Sequence, residues 1–195
     1  MRVVAVLLAA GSSRRFGGEK LLAPWRGRPL YQHALEALTA APEIAETVIV
    51  VRPGFAAPPE RPRCRFVVNP DHAEGMSTSL RAGILAAPAD ADAYLIALAD
   101  MPAVTPTLIE SLVAFHRAAG SSITVPVCRG RRGHPVLIAA AWREALLGIT
   151  GDVGARELLR AHPEAVAEFA TDDAGVLFDV DEPKDFEAGG EEGAS

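Results

Sequence analysis

The sequence has 195 residues, of which 49% are hydrophobic and 23% charged, and its formal net charge at pH 7 is -6. This length predicts a single domain, no apolar run reaches the ~20 residues that cross a bilayer, and the negative charge disfavours nucleic acid as a partner. The only two cysteines, Cys64 and Cys128, lie far apart and show no metal-ligand spacing, so we expect a reducing, cytoplasmic location.

Apolar runs alternate with amphipathic stretches at the spacing of βα units. The predicted strands cover 2–8, 46–51, 65–68, 93–98, 122–127 and 135–138, with weaker ones at 166–170 and 176–180. The predicted helices cover 30–41, 76–87, 139–147, 153–161 and 183–188, and a further helix begins at Thr105-Pro106. This order predicts a three-layer α/β domain with a mostly parallel sheet over residues 1–187, followed by a disordered tail, 188–195.

Basic residues concentrate after the first predicted strand. In an open parallel sheet, ligands bind beyond the carboxyl ends of the strands, and glycines there let backbone N–H groups approach a phosphate. Glu19 is the only acidic residue between positions 14 and 28, and Lys20 is one of only two lysines in the chain. The segment therefore predicts a site for a small anionic ligand. Its basic residues are Arg14, Arg15, Lys20, Arg26 and Arg28.

This loop fits neither of two common phosphate-binding patterns. The dinucleotide fingerprint needs G-x-G-x-x-G, whereas five residues without glycine separate Gly11 from Gly17. A P-loop needs glycine directly before the lysine and a hydroxyl residue after it, whereas Lys20 is followed by Leu21. For the loop alone, a solvated basic turn stays open as the alternative.

An acidic residue follows another predicted strand. Asp100 comes directly beyond the buried run 94–98, and Pro102 fixes the chain direction after it. Mg²⁺ is usually held by one or two carboxylates together with phosphate oxygens and water, so Asp100 is a candidate metal ligand. The alternative is that Asp100 caps a turn.

Several motifs, in order from Val3 to Phe186, resemble those of the MobA-like NTP transferase family. The resemblance is greatest to its branch of molybdenum cofactor cytidylyltransferases. The motifs are L-A-A-G-x-S-x-R-F-G-x-x-K at 8–20, N-P-x-x-x-x-G-M-x-x-S-L at 69–80, L-x-D-M-P at 98–102, G-H-P-V at 133–136, G-D-V-G-A-R at 151–156 and D-V-D-E-P at 179–183.

The resemblance implies a Rossmann-like fold of the nucleotide-diphospho-sugar transferase type, in which the first loop wraps a nucleotide triphosphate. Arg15, Lys20 and Asp100 would be catalytic, with the two cations offsetting the charge of the triphosphate and of the leaving pyrophosphate. A glycine hinge and an ordinary helix start explain the second motif equally well. The expected nucleotide contacts are Leu8, Ala9, Ala10, Gly11, Ser12, Ser13, Asn69, Gly75 and Ser79.

The resemblance also implies a Mg²⁺ site and an acceptor site. Asp100 and Asp181 would hold the metal, and Asp179 stays open as an alternative to Asp181. Either Asp179 or Asp181 could instead cap the final helix. A histidine before a strand is more often an anchor than a catalyst. The alternative for 151–156 is that Asp152 caps a helix and Arg156 is a surface residue, which explains this motif as well as an acceptor site does. The expected acceptor contacts are Gly133, His134, Asp152 and Arg156.

The resulting hypothesis is transfer of CMP from CTP to the phosphate of molybdopterin, with release of pyrophosphate. A nucleotide-binding part of about 1–104 would precede an acceptor-binding part of about 105–187. Guanylyl-transferring relatives carry L-A-G-G where this chain has L-A-A-G, and a methyl group at Ala10 would narrow the space for a purine. The alternatives are guanylyl or other NMP transfer to a different phosphorylated acceptor, and a non-catalytic molybdopterin carrier or chaperone. A molybdoenzyme or its chaperone is the protein partner that the resemblance suggests.

Overall fold

The computed structural model describes residues 1–11, 19–56 and 62–188, which contain ten strands and six α-helices joined by turns and short 3-10 helices. The strands are β1 (Val3–Ala9), β2 (Pro24–Trp25), β3 (Arg28–Pro29), β4 (Ile44–Val51), β5 (Cys64–Val68), β6 (Ala93–Leu98), β7 (Ile123–Cys128), β8 (Arg131–Arg132), β9 (Val136–Ala139) and β10 (Val166–Ala170). The helices are α1 (Leu30–Ala40), α2 (Met76–Ala86), α3 (Pro106–Ala119), α4 (Arg143–Gly148), α5 (Arg156–Ala161) and α6 (Pro183–Ala188).

Eight of these strands form one sheet, in the order β10-β7-β9-β6-β1-β4-β5, with β8 paired to β7. All pairs along this order are parallel except those of β9, which runs antiparallel to both β6 and β7. The two remaining strands, β2 and β3, form a small antiparallel pair. The prediction of a mostly parallel sheet is confirmed.

The central strand β1 is buried at every residue and carries core side chains on both faces. Val3, Ala5 and Leu7 belong to an apolar cluster with α1 and α3. Val4 and Val6 belong to a second cluster with α2, α4 and α5. A parallel strand covered on both faces has this uniformly hydrophobic sequence. Helices therefore cover both faces of the sheet, as the predicted three-layer arrangement requires.

The weak strand predicted at 176–180 is wrong. Ala174–Leu177 forms a 3-10 helix, in which the amides of Val176 and Phe178 donate to nearby carbonyls. The amide of Val180 donates instead to the Asp100 carbonyl, at 2.9 Å. The segment is mostly apolar, and Val176 and Val180 are fully buried, but its amides have different partners and form no strand ladder.

Other boundaries differ from prediction at short elements. Strands β2, β3 and β8 were not predicted, because two-residue strands have no periodicity to detect. A 3-10 helix, Ala140–Trp142, precedes α4, and α5 begins only at Arg156. In the described part of the chain, no helix has both the length and the hydrophobicity needed to span a membrane. Most of the predicted tail, 189–195, lies outside the described residues.

Candidate functional site

The ends of neighbouring parallel strands bring distant motifs to one edge of the sheet. The Leu8 carbonyl, near the end of β1, accepts a hydrogen bond from the Ala99 amide at 3.1 Å. The Val51 carbonyl, at the end of β4, accepts one from the Asn69 amide at 2.8 Å. The segments that follow β1, β5 and β6 therefore share the edge where parallel sheets bind ligands.

Lys20 lies between two carboxylates from distant parts of the chain. Its Nζ atom is 2.8 Å from Oδ2 of Asp100 and 3.3 Å from Oδ1 of Asp181. The Lys20 side chain is 9% exposed, whereas those of Asp100 and Asp181 are 26% and 49% exposed. The ammonium group is thus covered by protein while both carboxylates still reach solvent. The structure brings together three of the predicted site residues.

Backbone contacts fix the two carboxylates in place. Asp100 follows β6, and its carbonyl accepts the Val180 amide at 2.9 Å, which ties the Asp181 segment to the end of β6. The carboxylate of Asp185, in α6, accepts the amides of Asp181 and Glu182 at 2.9 and 2.7 Å. The turn before α6 is therefore held by Asp185, and the Asp181 side chain contacts Lys20.

The charges of this cluster act on one another. Burial lowers the pKa of Lys20, but the charges and hydrogen bonds of Asp100 and Asp181 outweigh burial, so the net pKa is raised. Lys20 is therefore a permanent cation at neutral pH. Burial, followed by the charge of Asp181, raises the pKa of the nearby Asp179 carboxyl. Of the two candidates for a second metal ligand, it is Asp181 whose carboxylate contacts the cation shared with Asp100.

The donor set of this cluster suits a hard divalent cation. Asp100 and Asp181 already share one cation, so their oxygens can reach a common position. Mg²⁺ is usually held by one or two carboxylates plus substrate phosphates and water. Within residues 1–11, 19–56 and 62–188, no group of three or more His, Cys, Asp or Glu side chains could hold a metal ion. Two carboxylates leave the other coordination positions of such a cation to phosphate oxygens and water, so the pair fits a metal shared with a phosphate ligand.

The first loop is described only at its two ends. Ser12, Ser13 and Arg15 lie outside the described residues, so their predicted contacts stay predictions. At the start of the loop, Ala10 is 2% exposed and packs in the cluster with α2. At its end, Glu19 forms an ion pair with Arg52, beyond β4. Sequence reasoning missed this pair, because nothing local links positions 33 residues apart.

Asn69 organises the second motif through its side chain. Its Nδ2 atom donates to the hydroxyls of Thr78 and Ser79, at 2.9 and 3.0 Å, and its Oδ1 accepts the Asp71 amide at 3.0 Å. Asn69 and Ser79 are both buried. These bonds hold the turn 69–75 against the start of α2, so both residues have a positioning role in addition to any contact with a nucleotide.

The start of α2 packs against the predicted acceptor segment. The amide of Met76 donates to Oδ1 of Asp152 at 3.2 Å, and the amide of Ser77 donates to the Gly151 carbonyl at 3.2 Å. Gly75 has a φ of +124°, and a Cβ atom there would lie 2.7 Å from the Gly151 oxygen. Gly75 is therefore required by its backbone conformation and by this close approach. Asp152 caps α2, a helix in a different motif.

Asp152→Ala should lower the free energy of unfolding by about 0.5–2 kcal/mol, because it leaves an amide at the start of α2 without its acceptor. The substitution should also raise the KM for the nucleotide, since the second motif runs into the start of α2, which this cap holds in place. Asp152→Asn is the matched control, because its amide oxygen can still accept. Urea unfolding and nucleotide titration measure both effects. A role confined to the acceptor would instead raise only the acceptor KM, with unchanged stability, in both variants.

The G-H-P-V motif packs against the segment that carries Asp181. The His134 amide donates to the Val176 carbonyl at 2.9 Å, and a Cβ atom at Gly133 would lie 2.1 Å from the same oxygen. Burial lowers the pKa of His134, although the Ile96 backbone and the charge of Asp100 act in the opposite direction and Arg156 adds to the lowering. The ring is therefore neutral at pH 7. Its buried Nδ1 has no hydrogen-bond partner among the described residues.

Comparison with known proteins now identifies the family. The family model of the MobA-like NTP transferase domain matches residues 5–166 of this chain. This chain belongs to that family. The nucleotidyltransferase fold agrees with solved structures: Rv0371c of Mycobacterium tuberculosis superposes with a TM-score of 0.81, at 23% identity, over 96% of this chain and 97% of that one. A manganese complex of Rv0371c superposes with a TM-score of 0.78, at 22% identity, over the same shares of the two chains.

The relatives of this family member carry different names. The nicotine blue oxidoreductase of Paenarthrobacter nicotinovorans is 38% identical over 92% of each chain. The purine catabolism protein PucB of Bacillus subtilis is 30% identical over 95% of this chain and 94% of its own. A probable molybdenum cofactor guanylyltransferase of Thermococcus gammatolerans is 29% identical over 73% of this chain and 71% of its own. These names differ from one another, so they assign no single substrate to the family.

Proposed function

We propose that this protein transfers CMP from CTP to the phosphate of molybdopterin and releases pyrophosphate. The observation that carries the proposal is the convergence of Lys20, Asp100 and Asp181 at the ligand-binding edge of the sheet. A buried ammonium group beside two partly exposed carboxylates suits a polyphosphate that arrives with a divalent cation. The relative named as a molybdenum cofactor guanylyltransferase supports molybdopterin as the acceptor.

The proposed reaction needs little proton transfer from the protein. A phosphate oxygen of molybdopterin attacks the α-phosphorus of CTP, and the bond from that phosphorus to the bridging oxygen of pyrophosphate breaks. The nucleophile is already an anion at neutral pH, so no general base is required. Lys20 and Arg15 would stabilise the charge that develops on the leaving pyrophosphate. Mg²⁺, held by Asp100 and Asp181, would supply further charge neutralisation and orientation.

The choice of CTP depends on the L-A-A-G sequence at the end of β1. The Ala10 methyl group packs in the core rather than at an open surface. We therefore propose that a preference for a pyrimidine would arise from the backbone position that this packing gives to residues 8–11. One methyl group accounts for only about 1–3 kcal/mol of discrimination, so the backbone of these residues would have to contribute as well.

Pyrophosphate release with CTP, GTP and ATP tests the nucleotide assignment. Purified protein, Mg²⁺ and molybdopterin are combined with each nucleotide, and we expect CTP to react at least about tenfold faster than GTP or ATP. Equal rates with GTP would remove the cytidylyl assignment while leaving nucleotidyl transfer in place. If pyrophosphate is released from CTP only when a sugar phosphate replaces molybdopterin, the acceptor is a sugar phosphate and not molybdopterin.

The relative named nicotine blue oxidoreductase supplies a second candidate, because it matches 92% of this chain at 38% identity. An oxidoreductase acting on nicotine blue would change the oxidation state of this dye and release no pyrophosphate. Loss of the visible absorbance of nicotine blue with an added nicotinamide reductant and without CTP, assayed on the same preparation, distinguishes the two activities. The lysine and carboxylate cluster favours nucleotidyl transfer, since it suits a polyphosphate with its metal.

A further inference from the structure

Lys20 occupies the position that a divalent cation shared by Asp100 and Asp181 would need. Its ammonium nitrogen lies within 3.3 Å of an oxygen on each of the two carboxylates. A divalent cation bound between these same two oxygens would overlap the ammonium group, so at this position the lysine and the metal exclude each other. We infer that Lys20 is an internal counter-ion that must leave the Asp100–Asp181 pair before a divalent cation binds there. This inference rests on the proposed function for the identity of the metal ligands.

The backbone around Lys20 is anchored while its side chain is long enough to move. The Glu19 carbonyl accepts hydrogen bonds from the amides of Leu22 and Ala23, at 2.9 and 3.1 Å, and the Glu19 carboxylate pairs with Arg52. Leu21 is 7% exposed and packs in the core. A lysine ammonium on a flexible four-carbon stem can change partners without displacing such a backbone. Release of the carboxylates therefore needs only rotation of the Lys20 side chain.

A polyphosphate is the partner that would draw Lys20 away. Charge-assisted bonds to phosphate replace those to the carboxylates, so the ammonium group stays paired as it moves. Each ligand then removes an obstacle for the other: phosphate takes Lys20 off the carboxylates, and the metal keeps Lys20 from returning. Reciprocity of binding requires that nucleotide and metal strengthen each other by the same factor. In the nucleotide-free protein, Lys20 also keeps two neighbouring carboxylates from repelling each other.

Titration of the nucleotide-free protein with Mn²⁺ alone, followed by electron paramagnetic resonance of free Mn²⁺, tests this role. Lys20→Met keeps the length of the stem but removes the charge. We expect it to bind Mn²⁺ about ten- to hundredfold more tightly than the wild type, the range set by a charge-assisted bond between partly buried groups. Lys20→Arg, which keeps a cation at this position, should bind Mn²⁺ as weakly as the wild type.

Lys184→Met is the matched control, because it removes the same charge from the other lysine of the chain. Lys184 pairs with Glu182 at 2.8 Å, and its side chain is 74% exposed. Solvent and salt screen such a group, so the Mn²⁺ affinity should stay within about twofold of the wild type. A gain in affinity equal to that of Lys20→Met would reduce the effect to net charge and overturn the inference.

Asp100→Asn separates failure of the inference from failure of the metal site. Loss of Mn²⁺ binding in Asp100→Asn, together with tighter binding in Lys20→Met, supports the counter-ion role. If Asp100→Asn loses binding but Lys20→Met binds no more tightly than the wild type, the counter-ion role is overturned and the metal site stands. If Asp100→Asn binds Mn²⁺ as the wild type does, the proposed metal site is itself wrong. Thermal unfolding with Mn²⁺ gives a second readout: the metal should raise the Tm of Lys20→Met more than that of the wild type.

Discussion

Asp100→Asn should lower the rate of pyrophosphate release from CTP and molybdopterin by at least about 10³-fold, with the protein still folded. Asparagine has nearly the same shape as aspartate but has no charge. It therefore cannot balance a divalent cation shared with Asp181, nor pair with the Lys20 ammonium 2.8 Å away. A steady-state assay of pyrophosphate at saturating CTP and Mg²⁺ measures the effect as a change in kcat.

Asp179→Asn is the control for this experiment, since it removes a carboxylate from the same neighbourhood. The contacts of Lys20 are with Asp100 and Asp181, so we expect Asp179→Asn to retain activity within about fivefold and Asp181→Asn to lose it nearly as Asp100→Asn does. The reverse order for Asp179 and Asp181 would assign the second ligand to Asp179. Full activity in Asp100→Asn would contradict the proposed site.

The same substitution distinguishes a transferase from a molybdopterin carrier. A carrier that uses this pocket only to hold the pterin needs no metal at Asp100, so Asp100→Asn would keep its affinity for molybdopterin and its biological effect. A transferase would keep the pterin affinity, because the predicted acceptor contacts lie in 133–134 and 151–156, but would lose its product. Measuring molybdopterin binding and product formation on one preparation separates these outcomes.

Most of the fold was predictable because the central strands have uniformly apolar sequences. Strand β1 is buried at all seven residues, and such a run next to an amphipathic helix permits few arrangements other than a parallel sheet covered on both faces. The reversed direction of β9 was not predicted, since a four-residue apolar strand has the same sequence pattern in either orientation. The false strand at 176–180 has a similar cause: an apolar segment with Val176 and Val180 buried has the composition of a strand although it forms no strand pairing.

The candidate site was predictable where a residue follows a buried strand, and unpredictable where a contact joins two loops. Asp100 lies two residues beyond the end of β6, so its position at the sheet edge was expected. The capping of α2 by Asp152 was not, because the two positions are 76 residues apart and each has an ordinary local explanation. Asp185 was missed for a related reason, since its role in holding the Asp181 turn depends on hydrogen bonds to backbone amides.

Gly133→Ala should lower the free energy of unfolding by about 2–4 kcal/mol, because the added methyl group has no space. A Cβ atom there would lie 2.1 Å from the Val176 oxygen and 2.8 Å from the Val176 carbonyl carbon. The loop cannot easily shift to relieve this clash. The Gly133 amide donates to the Pro126 carbonyl at 2.8 Å, and the His134 amide donates to the Val176 carbonyl. Urea denaturation gives the change in stability directly.

Gly148→Ala provides the matched control, because Gly148 ends α4 and a Cβ atom there would meet nothing within 4 Å. Alanine is favoured over glycine in a helix, so this variant should be as stable as the wild type or up to about 1 kcal/mol more stable. Stability of Gly133→Ala within about 0.5 kcal/mol of the wild type would contradict the packing argument.

The effect of Gly133→Ala on activity separates two roles for this glycine. If Gly133 serves only as an acceptor contact, its substitution raises the KM for molybdopterin and leaves kcat and metal affinity unchanged. If its main role is to let 174–177 approach the G-H-P-V motif, the added methyl group displaces that segment. The displacement would then pull on the hydrogen bond from the Val180 amide to the Asp100 carbonyl, which positions Asp181. We therefore expect kcat and Mn²⁺ affinity to fall together, since the position of the Asp181 carboxylate depends on how closely Val176 packs against Gly133.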